Sequence, residues 1–282
     1  MLLVLTGTVL LLTGCESQQN VLNPQGPVGK SEMDLIYWSI ALMTIVVLAV
    51  FSIFTFVLIK YRSRPEGNPD YQPEMKDNKK LEIIYTAIPV IIVILLAVPT
   101  VRTTFALKNP PANDPITIDV TSSDWKWIFS YPQQGIETVN YVDIPVNHPV
   151  DFELHDIGPL NSFWVPALGG QEMSMPGMSM SLWLEATHNG DFIGRSANFS
   201  GAGFTNMTFH VYAKQESDFS AWVKQVKATA APMTPADWQS LMKPGNVGTM
   251  QFSTIYKGST NTSASMTMTG TKSNSTSMGG GQ

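Results

Sequence analysis

Side chains able to do redox, metal or nucleophilic chemistry are few in this 282-residue chain. Cys15 is the only cysteine, which excludes an internal disulfide and any thiolate pair. Four histidines, His148, His155, His188 and His210, fall on candidate strands and turns without the paired spacing of a closed metal site. Met173, Met175, Met178 and Met180 crowd one segment. Thioethers bind soft Cu(I), which raises a copper-storage or delivery role, but methionine equally fills irregular apolar gaps. The stretch from Gly194 to Met207, Gly-Arg-Ser-Ala-Asn-Phe-Ser-Gly-Ala-Gly-Phe-Thr-Asn-Met, is informative for the donors it lacks. Ser196, Asn198, Ser200 and Phe204 supply neither thiolate nor imidazole, so Met207 is its one soft side chain.

Those positions have the spacing of a copper-binding loop of the form C-x-E-x-C-G-x-x-H-x-x-M. Ser196, Asn198, Ser200 and Phe204 stand in its Cys, Glu, Cys and His places, while Gly201 and Met207 are retained. A second segment, Asp156 to Pro166, resembles the H-S-F-W-V-P stretch that supplies the other imidazole of such a centre, and Asn161 occupies that His place. A plainer reading makes both segments Gly/Ser-rich loops between strands. On the two motifs together the chain resembles subunit II of the haem–copper terminal oxidases, in the quinol-oxidising branch that keeps no binuclear copper.

The resemblance spans Cys15 to about Pro244 and implies a good deal. The external domain should be cupredoxin-like, with no catalytic residue, cofactor or metal on this chain. A partner, subunit I, would carry the haems and the catalytic copper, bind the quinol (menaquinol by expectation), reduce dioxygen to water and pump protons. Subunits III and IV and membrane lipid complete the expected partners, and this chain would stabilise and cap subunit I. Trp125, Trp127, Phe129 and Tyr131 alternate so as to share one strand face. In copper-bearing relatives such a stretch receives an electron; with no copper acceptor it reads as core. Two alternatives stand. A copper-binding subunit II of a cytochrome c oxidase conflicts with Asn161, Ser196, Ser200 and Phe204 together. A free-standing Met-rich copper-binding lipoprotein leaves two long apolar runs and the loop spacing unexplained.

The elements that must position these residues can be read in order. Residues 1–14 form a short apolar run ending Leu-Thr-Gly before Cys15, too short to span a bilayer and similar to a lipoprotein signal peptide. Cleavage there would leave Cys15 acylated at the start of an external segment, 15–34. Residues 35–59 and 83–101 carry no charge and read as transmembrane helices, the second containing Pro89 and Pro99. A proline in a membrane helix frees a carbonyl that another group must satisfy, which suggests packing against a membrane partner. Between them, 60–82 holds Lys60, Arg62, Arg64, Lys76, Lys79 and Lys80, a cytoplasmic signature that places both mature ends on the outer face of a bacterial cell membrane.

Beyond Arg102 the composition changes to short β-branched and aromatic runs punctuated by Pro, Gly and Asn. Candidate strands are 116–121, 125–131, 138–143, 150–155, 181–186, 192–195 and 208–212, within a domain at 109–227. The fold class is therefore a membrane-anchored all-β protein: two N-terminal transmembrane helices, then an external cupredoxin-like β-sandwich or barrel with short C-terminal helices. Phe219, Trp222, Val223 and Val226 repeat at helical spacing over 218–227. Thr234-Pro235-Ala236-Asp237 opens a second helix in an extension at 228–245. Residues 246–282, rich in Ser, Thr, Asn, Gly and Met, read as a disordered tail. Net charge is −5 with no run of basic residues, so nucleic acid is not a partner.

Overall fold

The computed structural model describes residues 21–62, 78–111 and 114–256. Cys15, the expected signal 1–14, most of the charges between the two apolar runs and the stretch after 256 lie outside the described residues. The chain divides into two units, one made of residues 30–109 and the other of residues up to 29 together with 110 onward.

The smaller unit holds two helices. α1 spans Pro27–Lys60 and α2 spans Lys79–Ala106, with mean hydropathy 2.9 and 2.6 in their most apolar windows. Both overrun the expected bounds of 35–59 and 83–101, so the connection between them is shorter than 60–82. At the first helix, Pro27 pre-sets the backbone for the opening turn, and helix geometry runs past the apolar stretch into polar residues. At the second, the Asn78 side chain accepts from the Lys80 and Leu81 amides. Ile45, Phe51, Ile59, Ile83 and Phe105 are exposed, a surface that lipid or an apolar partner would cover. Pro99 cannot donate to the carbonyl four residues back, that of Leu95. The Trp38 indole of α1 donates to that oxygen at 3.1 Å. The carbonyl freed by Pro99 therefore finds a donor within this chain, on the neighbouring helix.

The larger unit is a two-layer β-sandwich. One sheet has the order β11-β3-β2-β1-β5-β8 and the other β4-β10-β9-β6-β7. The strands are β1 Ile116–Ser123, β2 Lys126–Tyr131, β3 Ile136–Val139, β4 Tyr141–Pro145, β5 Val150–Asp156, β6 Asn161–Val165, β7 Gly169–Ser174, β8 Met180–Leu184, β9 Gly190–Ser196, β10 Thr208–Lys214 and β11 Met250–Phe252. β1 with β5 and β4 with β10 pair in parallel, and the other ladders are antiparallel. Trp127 and Phe129 from one sheet meet Phe163 and Phe209 from the other, with centroids 5.2–6.4 Å apart, and Phe163 stacks on Phe209 at 4.9 Å. Such edge and stacked arrangements combine large apolar burial with favourable ring geometry.

Four expectations need correction. The candidate strand 138–143 is two strands in different sheets, divided at Asn140. Asn140 has φ 56°, a left-handed conformation asparagine tolerates, and its side chain ties the bend by accepting from the Trp127 amide and donating to the Val247 carbonyl. Trp125 does not share the face of Trp127, Phe129 and Tyr131; at φ 64° it precedes the strand. β6 and β7 are strands where the sequence offered a motif and a methionine cluster. Finally, the domain does not stop at 227, nor is all of 246–282 outside it. α3, Glu216–Thr229, sets Phe219 and Trp222 against Tyr131. α4, Pro235–Leu241, opens with the full Thr234/Asp237 capping box. With β11 it buries Met233, Trp238, Leu241 and Phe252 on Ile128 and Val139, a second small core on the outer face of the six-stranded sheet.

The segment before α1 also belongs to this unit. The Gln25 amide donates to Ala167 O at 2.6 Å, Gly29 to Leu168 O at 2.9 Å, and Thr187 to Gln25 O at 2.9 Å. A Cβ at Gly26 would lie 2.0 Å from the Glu185 carbonyl, so only glycine permits this approach. Part of the expected external segment 15–34 is thus stitched to the sandwich.

Candidate functional site

Four strands bring the copper-pattern positions to one corner of the sandwich. β1 and β5 end side by side at Ser122 and Asp156, which are in register. β6 begins there with Asn161 and Ser162, and β9 ends there at Ser196. Each strand points apolar residues inward until its last pleat, where the side chain turns polar: Val120 then Ser122, Leu154 then Asp156, and on β6 Phe163 preceded by Asn161.

Hydrogen bonds join these side chains. Ser122 Oγ donates to Asp156 Oδ2 at 2.6 Å, the Gly158 amide donates to Oδ1 at 2.6 Å, and Asn161 Nδ2 lies 3.4 Å from Oδ2. Asn161 Nδ2 also donates to Pro159 O at 2.8 Å, and its carbonyl accepts from Ser196 Oγ at 3.3 Å. Asn198 Nδ2 fastens the loop to Leu160 O at 2.9 Å. Ser174 Oγ donates to His155 O at 2.8 Å and lies 3.1 Å from Ser122 Oγ. Burial outweighs these donors and pushes the Asp156 carboxyl up to about 6.

Of the six positions read from the copper pattern, Asn161, Ser196 and Asn198 meet in this network. Asn161 is wholly buried, and Met207 is 1% exposed with its carbonyl accepting from the Ser196 amide at 3.1 Å. Ser200 contributes its backbone oxygen to the Trp125 indole at 3.2 Å, while its hydroxyl is buried without a partner, as is that of Ser162. Phe204 turns away: its ring meets that of Phe199, 5.7 Å off and 76% exposed. The loop path is fixed by Trp125, whose indole lies where a Cβ at Gly203 would be, 2.2 Å from the nearest ring atom, and by Gly201 at φ 117°.

This donor set does not fit copper. Amide and hydroxyl oxygens are neutral and hard, and the two that lie closest, on Asn161 and Ser196, already satisfy each other. What the arrangement can do is hold a loop and four strand ends rigid. Sequence reading found the outer members of the network but missed Ser122, Asp156 and Ser174, which local spacing could not reveal because strand pairing over 34 and 52 residues assembles them.

The remaining candidates disperse. Met173 and Met180 lie on β7 and β8, with Met175 and exposed Met178 in the turn between. His210 Nδ1 pairs with Asp191 at 2.8 Å and its ring stacks on Tyr212. His148 meets the Pro149 carbonyl and His188 the Thr187 hydroxyl. His155 alone joins a group of possible ligands, with Asp119 and Glu153. No sequence spacing announced it, since Asp119 comes from the neighbouring parallel strand.

Several known proteins are similar to this chain. Residues 18–103 match the family model for the cytochrome c oxidase subunit II transmembrane domain, so the two apolar helices anchor the chain in a membrane. The sandwich is similar to the periplasmic domain of subunit II of the cytochrome oxidase of Bradyrhizobium japonicum, at 24% identity and TM-score 0.40 over 42% of this chain and 96% of that one. The Bacillus subtilis protein named quinol oxidase subunit 2 is 43% identical over 91% of this chain and 81% of its own length. Its Bacillus cereus counterpart is 51% identical over 88% of this chain and 87% of its own length. Identity of that depth, running through both the membrane helices and the sandwich, means that the chain belongs to the quinol oxidase subunit 2 family.

Proposed function

We propose that this chain is a redox-silent subunit of a proton-pumping quinol oxidase. It packs against a subunit I that carries the haems and catalytic copper, and caps it from the outer side of the membrane. Subunits III and IV complete the assembly, and menaquinol is the electron donor. The observation that carries the reading is the corner of the sandwich: Asn161, Ser196 and Asn198 satisfy one another and the backbone at positions where a copper relay would need thiolate and imidazole. Electrons must then reach the haems from the membrane phase.

Orientation follows from charge. Lys60, Arg62, Arg64, Lys76, Lys79 and Lys80 between the helices favour the cytoplasmic side, which puts the sandwich outside. Cys15, acylated after cleavage, would add a lipid anchor ahead of the residues stitched to the sandwich.

The test is donor specificity. A complex purified through this chain in mild detergent should bring haem with it and consume oxygen with a reduced menaquinone analogue, not with reduced cytochrome c alone. Vigorous cytochrome c oxidation by a complex whose only other subunits are haem-bearing would overturn the proposal. Mass spectrometry of the N-terminal peptide tests the anchor, and an unmodified Cys15 in the assembled complex would refute it.

A further inference from the structure

We propose that Asp119, Glu153 and His155 form a binding site for one first-row divalent cation on the outer face of the six-stranded sheet. β1 and β5 run in parallel there, with Asp119 in register with Glu153 and Thr121 with His155. On the other face of the same strands Ile118, Val120, Phe152 and Leu154 are wholly buried in the core, so the three ligating side chains share the outward face. Their ligand atoms all lie within 4.8 Å of one another, and each residue is half-buried.

Three features separate this group from an ordinary acidic patch. It contains an imidazole, and one nitrogen with two carboxylates is a donor set for zinc or manganese, not for Cu(I). Directly opposed carboxylates on adjacent strands repel, and among the described residues no Lys or Arg pairs with either; the ion pairs found there are Lys214–Asp143 and His210–Asp191. The group is assembled across a ladder, with Asp119 on β1 and Glu153 and His155 on β5, so one ion would touch both strands. An imidazolium at His155 would offset one of the two negative charges, whereas a dication offsets both.

The backbone is also suited to the task. β1 and β5 are interior strands of the sheet, so their spacing is held by ladders on both sides. Metal–oxygen and metal–nitrogen bonds of about 2.1 Å set opposite ligands at most about 4.2 Å apart, so small side-chain rotations would close the three around one ion. Three protein ligands leave a position for water or for an outside group. The ion would brace the two strands just before Ser122 and Asp156.

The full chain in detergent, stripped with a chelator and freed of it, should be titrated with Zn²⁺ by calorimetry and with Co²⁺ by visible absorption. Saturable binding of one ion per chain is expected. His155→Gln and Glu153→Gln should each weaken it on the order of tenfold or more, since even loss of an outer partner costs a metal site that much. His210→Gln, which breaks the Asp191 pair elsewhere, should bind as the parent does. Circular dichroism of Glu153→Gln, the same in shape as the native side chain, separates lost ligation from lost folding. Absence of saturable binding by the parent, or equal binding by the His155→Gln and Glu153→Gln variants, would overturn the site.

Discussion

The aromatic centre of the sandwich and its polar corner meet on β6, where Phe163 and Asn161 stand one pleat apart, and they are held by opposite means. In the centre, Trp127, Phe129, Phe163 and Phe209 exclude water with rings that need no particular partner atom. At the corner, Asp156, Asn161 and Ser196 are also buried, but each depends on a named donor or acceptor. The centre tolerates small shifts because dispersion falls off gradually, whereas the corner does not, because an unpaired buried polar atom keeps its full desolvation cost. Buried hydroxyls and amides persist at the corner because neighbouring strand ends supply their hydrogen bonds. Ser162 and Ser200, whose hydroxyls are buried without partners, carry that cost.

The largest loss is expected at the centre. Phe163 contacts Trp127, Phe129, Phe152 and Phe209, so Phe163→Ala should destabilise the sandwich by about 3–5 kcal/mol, read as a fall in the denaturation midpoint followed by tryptophan fluorescence.

An intermediate effect belongs to a third kind of site, a buried acid with too few donors. Glu137 is fully buried under the C-terminal segment, accepts from the Tyr256 amide at 3.1 Å, and leaves its other oxygen without a partner. Burial pushes its carboxyl from 4.5 up to about 7. The folded state then holds this proton more tightly than the unfolded chain does, so the stability it contributes is complete below about pH 4.5 and is lost as pH rises through 7. Glu137→Gln should remove that slope and stabilise the domain at pH 8 by up to roughly 3 kcal/mol, with little difference at pH 4. Asp156, raised in the same direction to about 6, should leave a residual slope in the variant. Parallel denaturation curves at both pH values would contradict this.

The smallest change probes the corner itself. Asn161→Ala removes the amide facing Ser196 and Asp156 and should cost about 1–3 kcal/mol, less than Phe163→Ala. Urea denaturation of the two variants side by side gives the ranking. A larger loss at Asn161 would mean that the corner, not the ring cluster, holds the sheets together.

Much of this was open to inspection in the residues alone, and the reason is periodicity. Long uncharged runs, the helical repeat of Phe219, Trp222 and Val226, and the capping pattern at Thr234 are local signals for local structures, and each element formed. The spacing of Gly194 to Met207 likewise exposed a metal-type loop without its donors. Errors arose where a neighbour distant in sequence decided the outcome. Asn140 splits one alternating run between two sheets because its side chain is held by Trp127 and Val247. Met250–Phe252 is a strand because β3 offers an open edge and α4 offers an apolar cover.

Composition and motif spacing thus determined by themselves that the chain has two membrane-length helices, a β-domain and a loop without soft ligands, since those properties reside in residue types and short intervals. Only the tertiary structure decided that Asn161 meets Ser196, which group supplies the hydrogen bond that Pro99 withholds from Leu95, and that Asp119 stands beside Glu153 and His155. Those are pairings across 35, 57 and 34 residues, and hydrogen bonds and charges act through space, at distances the order of residues along a chain does not encode.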